Sequence, residues 1–301
     1  MTKRKVTIAA TAVVVLFIGY FGLSLIIVNQ ALVAVVNPLE EHPKDYDLTY
    51  EDVSFTPRGS RDITLRGWWF PKDGALGTVI WIHGLDSQRS KRLDLMSDLV
   101  DEGFQLLVFD LRGHGGSDLA PMGAGLSEQD DLRGAVDFVT AERGVAPGTV
   151  LLLGESFGGA IAIMTGATEP AVTGVYADSA FANLSDVMID EIADRTPIPH
   201  FGASLLKPGI ELVAQLAKGI AIEGVSPERS VAEFPYLVGL THCDADDRLP
   251  LDNLIRIRNA APPGSWLTIY PDCTHAEAYV NFPEQYVRTV TKYFLERLGI
   301  Q

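Results

Sequence analysis

The sequence predicts an α/β protein in which a mostly parallel central sheet carries helices on both faces, preceded by one transmembrane helix. Two observations lead to this prediction. Short β-rich runs alternate with helical runs from about residue 53 to residue 298, and repeated strand–helix alternation is typical of parallel sheets. Ahead of them lies an uncharged apolar run of 23 residues, Val6–Val28. A helix needs about 20 apolar residues to cross a bilayer core.

The Val6–Val28 run is interpreted as a membrane anchor, against a cleaved signal peptide and a soluble core helix. A soluble helix would be shorter and would carry a polar stripe, and a signal peptide has an apolar core of about 7–15 residues. The Ala31–Ala34 region gives no clean small-x-small cleavage site. We therefore expect two parts, with the anchor (about 6–28) inside residues 1–36 and a main domain over residues 37–301.

Charge predicts how the anchor is oriented. The 301 residues include 39 acidic and 24 basic side chains, a net charge of −15. Three of the basic residues, Lys3–Lys5, precede the apolar run, and Glu40 and Glu41 follow it. Positive flanks stay cytoplasmic, so the N-terminus is expected inside and the domain outside the cytoplasm. The acidity argues against nucleic acid as a partner, because phosphate recognition needs a basic face.

Eight strands are predicted from short β-rich runs between turn signals. The first two are separated by Pro57-Arg58-Gly59 and are expected to pair antiparallel. The third, bounded by glycine and continuously apolar, is typical of a strand buried on both faces. In chain order the predicted strands are Val53–Thr56, Ile63–Phe70, Gly77–His83, Gln105–Asp110, Thr149–Leu153, Val172–Ala177, Tyr236–Thr241 and Trp266–Tyr270.

Helical spacing of apolar residues predicts the helices between these strands. Ser127 is a plausible N-cap for the second of them, with Asp130 three residues on. The predicted helices are Arg89–Glu102, Ser127–Glu142, Phe157–Thr168, Leu251–Asn259 and Pro283–Leu298. Residues 182–232 interrupt the alternation with four prolines and amphipathic pieces such as Leu205–Ile220. This segment is too long for a plain loop and is interpreted as an inserted helical cap over the strand ends.

The Gly154-Glu155-Ser156-Phe157-Gly158 segment fits the pattern G-x-S-x-G between a predicted strand and a predicted helix. This is the context that a nucleophilic serine requires, because the turn is tight and its neighbours must lack bulk. Ser156 would then project at a helix N-terminus, where backbone N–H groups can hold a developing oxyanion. The sequence therefore predicts Ser156 as a nucleophile.

A serine alcohol is a weak nucleophile and needs a base that is oriented by an acid. His275 follows the last predicted strand and is the candidate base. Three carboxylates follow the preceding strand, and the residues alone leave the choice among them open: Asp244, Asp246 and Asp247.

From about residue 50 to residue 301 the chain resembles the α/β-hydrolase superfamily, within it a bacterial branch with a short helical cap. The motifs that carry the resemblance are Trp81-Ile82-His83-Gly84, Asp110–Ser117, the Gly154–Gly158 turn, Asp246–Pro250 and His275. The pattern D-x-x-[VL]-P in the superfamily selects Asp246 as the acid of the triad, with Asp247 second. The superfamily often has His-Gly before this acid, whereas this chain has His242-Cys243.

The resemblance also implies an oxyanion hole formed by two backbone N–H groups, those of Leu85 and Phe157. It implies that His83, Arg112 and His114 shape the loops beneath the site and have no chemical role. The branch often contains serine esterases and peptidases.

Two cysteines lie beside the candidate acid and base. Cys243 precedes Asp246 by three residues and Cys273 precedes His275 by two. Neighbouring strands lie about 4.8 Å apart, within the range of a disulfide, which an environment outside the cytoplasm would permit. The alternatives are a bridge between the two loops and two independent buried thiols.

These observations predict a membrane-tethered serine hydrolase that cleaves an ester, thioester or amide bond through an acyl-enzyme intermediate. A serine peptidase or aminopeptidase of the same fold is one alternative, and a non-catalytic, membrane-tethered interaction domain is another. No metal or nucleotide motif occurs in the sequence, so no cofactor is expected. The expected partners are a small-molecule or peptide substrate with an acyl group and, through the anchor, the lipid bilayer.

Overall fold

The computed structural model describes residues 3–300 as two compact units. The first, called the helical unit here, combines the N-terminal segment up to Val33 with Leu184–Val225. The second, the sheet unit, comprises Ala34–Asn183 and the chain from Ser226 onward. The segment 184–225 lies inside the predicted insertion 182–232 and groups with the N-terminal helix.

The strands of the sheet unit lie where the sequence predicts them, apart from small shifts at their ends. They are β1 (Glu51–Phe55), β2 (Leu65–Phe70), β3 (Thr78–Ile82), β4 (Gln105–Phe109), β5 (Val150–Glu155), β6 (Val172–Asp178), β7 (Gly239–Cys243) and β8 (Trp266–Tyr270). Their order across the sheet is β1-β2-β4-β3-β5-β6-β7-β8. β2 pairs antiparallel with β1 and β4, and the other pairs are parallel. The predicted mostly parallel sheet is confirmed.

The helices follow the predicted alternation. They are α1 (Lys3–Ala31), α2 (Leu93–Asp101), α3 (Ser127–Asp137), α4 (Phe157–Gly166), α5 (Leu184–Arg195), α6 (His200–Lys218), α7 (Pro227–Val231), α8 (Asp252–Ala260), α9 (Ala278–Asn281) and α10 (Pro283–Leu298). Short 3₁₀ turns cover Pro43–Tyr46 and Ile222–Gly224, and a π-helical turn, Phe138–Glu142, extends α3.

The predicted N-cap of α3 is wrong. Ser127 is the first residue of the helix and follows Leu126, whose side chain cannot cap it. The preceding loop is held instead by the buried carboxylate of Glu128, which accepts hydrogen bonds from the amides of Gly123 (2.7 Å) and Gly125 (2.8 Å). A carboxylate in the first turn is also favoured by the helix dipole.

The two faces of the sheet are covered by different helices because successive strand residues point to opposite sides. Val79 and Trp81 of β3 belong to an aromatic-rich buried cluster with residues of α2 and α10. Ile80 and Ile82, fully buried as well, lie outside that cluster, and α3 and α4 contact β3. The predicted helices on both faces are therefore present, and the carboxyl ends of the parallel strands meet along one edge.

The helical unit consists of α1, α5 and α6 with one 3₁₀ turn. α1 is 29 residues long and is long and apolar enough to cross a membrane by length and composition. α6 contains Pro208 in its interior and ends at Gly219, which adopts a left-handed conformation (φ 71°). α1 packs against α6, and α5 against α6.

Candidate active site

Ser156 occupies a strained turn between β5 and α4. Its φ of 56° and ψ of −117° lie outside the regions that non-glycine residues normally adopt, a conformation that costs about 1–3 kcal/mol. Its amide donates a 2.7 Å hydrogen bond to the carbonyl of Asp178 at the end of β6. The neighbouring strand therefore helps to hold the turn that aims the hydroxyl.

The glycines of the G-x-S-x-G pattern are required by close backbone approaches. A Cβ at Gly154 would overlap the backbone of Gly158, within the same turn. A Cβ at Gly158 would overlap the carbonyl oxygens of Ile82 and His83 at the end of β3. The turn can thus form only with glycine at position 154, and it can pack against β3 only with glycine at position 158.

The structure brings the predicted nucleophile, base and acid into one chain of hydrogen bonds. His275 Nε2 lies 2.8 Å from Ser156 Oγ, and His275 Nδ1 lies 2.8 Å from Asp246 Oδ2. Asp246 is buried, whereas Asp244 and Asp247 are exposed. Asp244 Oδ1 accepts a hydrogen bond from the amide of Asp272 (2.8 Å) and so joins the two loops.

Asp246 remains ionised although it is buried. Burial alone would raise its pKa, but hydrogen bonds from His242 and His275 and from the amide of Leu249 outweigh that effect, so the pKa lies well below its ordinary value. Its Oδ1 accepts from the amides of Arg248 (3.1 Å) and Leu249 (2.8 Å), which leaves Oδ2 for the two imidazoles. The negative charge is thus fixed on the side that faces His275.

His242 is a site residue that the sequence analysis did not assign. Its Nε2 lies 2.7 Å from the carbonyl oxygen of Leu249 and 3.2 Å from Asp246 Oδ2. Since the carbonyl can only accept, Nε2 carries the proton in this arrangement. Burial would lower the pKa of His242, but Asp246 and the Leu249 carbonyl raise it above its ordinary value. In the sequence, the only signal for this role is that His242 precedes Asp246 by four residues.

The two residues predicted for the oxyanion hole are Phe157, which directly follows Ser156, and Leu85, in the loop after β3. Phe157 is the first residue of α4, so its N–H has no acceptor within the helix. On the other side, a Cβ at Gly84 would be 3.4 Å from Ser156 Cβ and 3.9 Å from its Oγ. The loop that carries Leu85 therefore passes close to the hydroxyl.

His83 and His114 tie together the loops that follow β3 and β4. His83 Nδ1 donates to the carbonyl of Gly84 (2.7 Å), and its Nε2 accepts from the amide of Leu111 (3.0 Å). Burial lowers its pKa to about 3, so the ring is neutral. His114 likewise donates to the carbonyl of Arg112 (2.9 Å) and accepts from the amide of Asp86 (3.3 Å). These contacts are those of loop-shaping residues.

Buried ion pairs complete this support. Arg112 forms a bidentate pair with Asp131, and Arg89 pairs with Asp110 at 2.6 Å. A third pair lies directly at the serine turn, where Arg92 Nε donates to Glu155 Oε2 at 2.8 Å. The same guanidinium donates to the carbonyl of Ala276, next to His275. Arg92 therefore links the serine turn to the histidine loop, a role that the sequence analysis missed.

Cys243 and Cys273 form a disulfide in the structure, with their Cα atoms 5.2 Å apart. Cys243 is the last residue of β7 and pairs in register with Tyr270 of β8. The bridge and the hydrogen bond from the amide of Ala245 to the carbonyl of Cys273 (3.2 Å) fasten the Asp246 loop to the His275 loop. Residues 3–300 contain no group of three or more His, Cys, Asp or Glu side chains placed to hold a metal ion.

Replacing both bridged cysteines with alanine is expected to lower the free energy of unfolding by about 3.6 kcal/mol. The bridge spans 30 residues, and closing a loop of that length removes about this much entropy from the unfolded chain. Denaturant unfolding of Cys243→Ala/Cys273→Ala against the oxidised wild-type protein measures it. The reduced wild-type protein is the matched control, and it should unfold with the double variant. Equal midpoints for oxidised and reduced wild type would contradict the prediction.

Comparisons with known proteins agree with this fold. Residues 74–214 match the family model described as serine aminopeptidase, S33. The protein YfhR from Escherichia coli strain K12 is 29% identical over 237 residues, which cover 76% of this chain and 74% of YfhR.

Two solved structures illustrate the likeness of fold. The Pyrococcus furiosus esterase Pf2001 has a TM-score of 0.69 at 23% identity and is matched over 98% of its chain and 88% of this one. A membrane phospholipase A has a TM-score of 0.62 at 17% identity, with 98% of this chain and 97% of that chain covered. Together with the sheet topology, these likenesses show that the chain has the α/β-hydrolase fold.

Proposed function

We propose that the chain is a serine hydrolase that cleaves carboxylic esters through an acyl-enzyme intermediate with Ser156, His275 and Asp246 as its triad. The observation that carries the proposal is the continuous path of hydrogen bonds, each 2.8 Å, from Ser156 Oγ through both ring nitrogens of His275 to Asp246 Oδ2. This path provides a nucleophile, a base and an orienting acid in the required order.

The first half of the reaction transfers the acyl group to the enzyme. Ser156 Oγ attacks the ester carbonyl carbon while its proton moves to His275 Nε2. The carboxylate of Asp246 holds the tautomer of His275 and stabilises the imidazolium that forms. The amides of Leu85 and Phe157 donate to the oxyanion of the tetrahedral intermediate. Collapse of this intermediate breaks the bond to the alkoxide, which takes the proton from Nε2.

The second half returns the enzyme to its starting state. Water enters beside His275, gives its proton to Nε2 and attacks the carbonyl carbon of the acyl-serine. The second tetrahedral intermediate uses the same two amides, and its collapse releases the carboxylic acid as Ser156 Oγ recovers its proton.

Esters are favoured over amides as substrates because the fold neighbours Pf2001 and the membrane phospholipase A are named as ester-cleaving enzymes. An alkoxide also leaves from a tetrahedral intermediate more readily than an amide anion does. A peptidase acting on aminoacyl amides is the second candidate, since the matching family model is described as a serine aminopeptidase. The third candidate, a non-catalytic tethered domain, is disfavoured because it gives no role to the hydrogen-bonded Ser156, His275 and Asp246.

We further propose that α1 anchors the enzyme, with the N-terminus in the cytoplasm and the hydrolase domain outside it. Support comes from the length and apolarity of α1 and from the basic residues Lys3–Lys5 ahead of the run. The disulfide between Cys243 and Cys273 fits an oxidising compartment outside the cytoplasm.

A fluorophosphonate probe should label the wild-type protein, and Ser156→Ala should remain unlabelled because the reacting oxygen is gone. His275→Ala should label at least 100-fold more slowly, since no base takes the proton. Ser60→Ala, which removes a serine from the turn after β1, is the matched control and should label like wild type. An unlabelled wild-type protein beside a reactive control esterase would favour the interaction-domain alternative.

A substrate panel separates the first two candidates. We expect kcat/KM for p-nitrophenyl esters of graded acyl length to exceed that for aminoacyl p-nitroanilides by at least 100-fold. Ser156→Ala is run beside wild type to subtract spontaneous hydrolysis. The reverse order, with amides preferred, would contradict ester hydrolysis and support the aminopeptidase candidate.

Replacing His242 tests the second donor on the acid. His242→Phe should lower kcat on esters roughly 10- to 100-fold with KM little changed, because a hydrogen bond to a buried charge contributes about 1.5–3 kcal/mol. His242→Gln, whose amide nitrogen can still donate, should recover most of the loss. A kcat for His242→Phe within twofold of wild type would show that Asp246 does not depend on His242.

A further inference from the structure

α6 carries an exposed apolar stripe that none of the described residues of the helical unit covers. Its members recur at spacings of four, three, four and four residues, and so share one side of the helix. The two most exposed are Phe201 and Leu216, at 75% and 77% of their full accessibility. The stripe consists of Phe201, Leu205, Pro208, Leu212 and Leu216. Contiguous apolar patches of this kind mark sites of interaction.

The stripe is one of three sides of α6. A polar side, formed by His200, Ser204, Lys207, Glu211, Gln215 and Lys218, borders it on one edge. The buried side includes Ala203, Leu206, Ile210 and Ala214. Gly209 lies between the buried side and the apolar stripe, on the flank where α1 packs. The exposed apolar side chains of α6 therefore lie directly beside α1.

The contact between α1 and α6 centres on Gly209, which faces the side chains of Tyr20 and Ser24. A Cβ at Gly209 would overlap the ring of Tyr20. The Tyr20 hydroxyl donates to the carbonyl of Leu205 (3.0 Å) and accepts from the amide of Gly209 (3.0 Å). Close helix approach at a glycine, with side-chain hydrogen bonds that satisfy backbone near a proline, is typical of helix pairs in membranes.

The position of Tyr20 along α1 gives the depth of this contact. Tyr20 comes 14 residues after Val6, the start of the apolar run, which is about 21 Å along a helix. The hydrocarbon core of a bilayer is about 30 Å thick. If α1 spans it from Val6, Tyr20 lies inside the hydrocarbon, in the leaflet distant from Lys3–Lys5. Gly209, in contact with Tyr20, lies at the same depth.

We propose that the apolar stripe of α6 is embedded in the acyl chains of the bilayer leaflet distant from Lys3–Lys5, so that the helical unit is seated in the membrane and not merely tethered to it. The occupant of the stripe is lipid hydrocarbon. The proposal rests on the proposed anchoring by α1. On this proposal, the segment inserted between β6 and β7 contacts the bilayer through the apolar stripe of α6.

Site-directed fluorescence in lipid tests the proposal. The two native cysteines are bridged, so a single introduced cysteine can be labelled with bimane in the full-length protein in phosphatidylcholine nanodiscs. Leu205→Cys and Leu212→Cys report on the stripe, and Ser204→Cys and Gln215→Cys on the adjacent polar side are matched controls. Leu16→Cys, exposed in α1, reports independently on the anchor. Quenching by doxyl-labelled phosphatidylcholine is compared with quenching by aqueous iodide.

Bimane at the two stripe positions is expected to be quenched by doxyl lipid at least twofold more than at the polar positions, with the opposite order for iodide. If doxyl lipid quenches bimane at position 16 but not at the stripe positions, the proposal for α6 is wrong and the proposed membrane anchor is retained. If Leu16 is not quenched by lipid, the anchor and the seating both fail. Shielding of the stripe from both quenchers would assign it to a second copy or another protein and overturn the proposal.

Discussion

The close approach of the serine turn to the end of β3 is the constraint on which the site depends. Because Gly158 packs on the carbonyls of Ile82 and His83, the hydroxyl of Ser156 lies beside the loop that carries Leu85. Ser156 in this turn has a positive φ, a strain that the surrounding contacts must offset. These contacts include the hydrogen bond from the amide of Ser156 to the carbonyl of Asp178 and the salt bridge between Arg92 and Glu155.

A second constraint acts on the acid. A buried carboxylate would take up a proton unless donors surrounded it, and a protonated Asp246 could no longer stabilise an imidazolium. Two amides and two imidazoles provide those donors. The disulfide then joins the loop that holds the acid to the loop that holds the base. The positions of Asp246 and His275 and the charge of Asp246 are therefore fixed by neighbouring residues outside the proposed triad.

The strands and the candidates Ser156 and His275 could be predicted because their signals are local, whereas the choice of Asp246 among three carboxylates came from the resemblance to the superfamily. A buried parallel strand is a continuous apolar run, and the serine turn has its glycines within five residues. Arg92 and Glu155 are 63 positions apart, and no local pattern links them. His242 shows an intermediate case, since its spacing from Asp246 was visible but its contact depends on how the loop folds back at Leu249. The N-cap prediction for α3 was wrong, since the loop before the helix is held by the buried carboxylate of Glu128 and not by Ser127.

The polar side chains of α1 explain how the N-terminal helix packs in the helical unit. The N-terminal run is apolar except for weakly polar groups, and Tyr20 and Ser24 among them face α6. In hydrocarbon a hydroxyl must find its partners within the protein, and Tyr20 finds both in the backbone of α6 beside Pro208. A helix that served only as a tether would need no such partner at that depth. Tyr20 and Ser24 of α1 therefore identify the segment inserted between β6 and β7 as its packing partner. In the proposed arrangement, the apolar stripe beside that contact lies in the same hydrocarbon as α1.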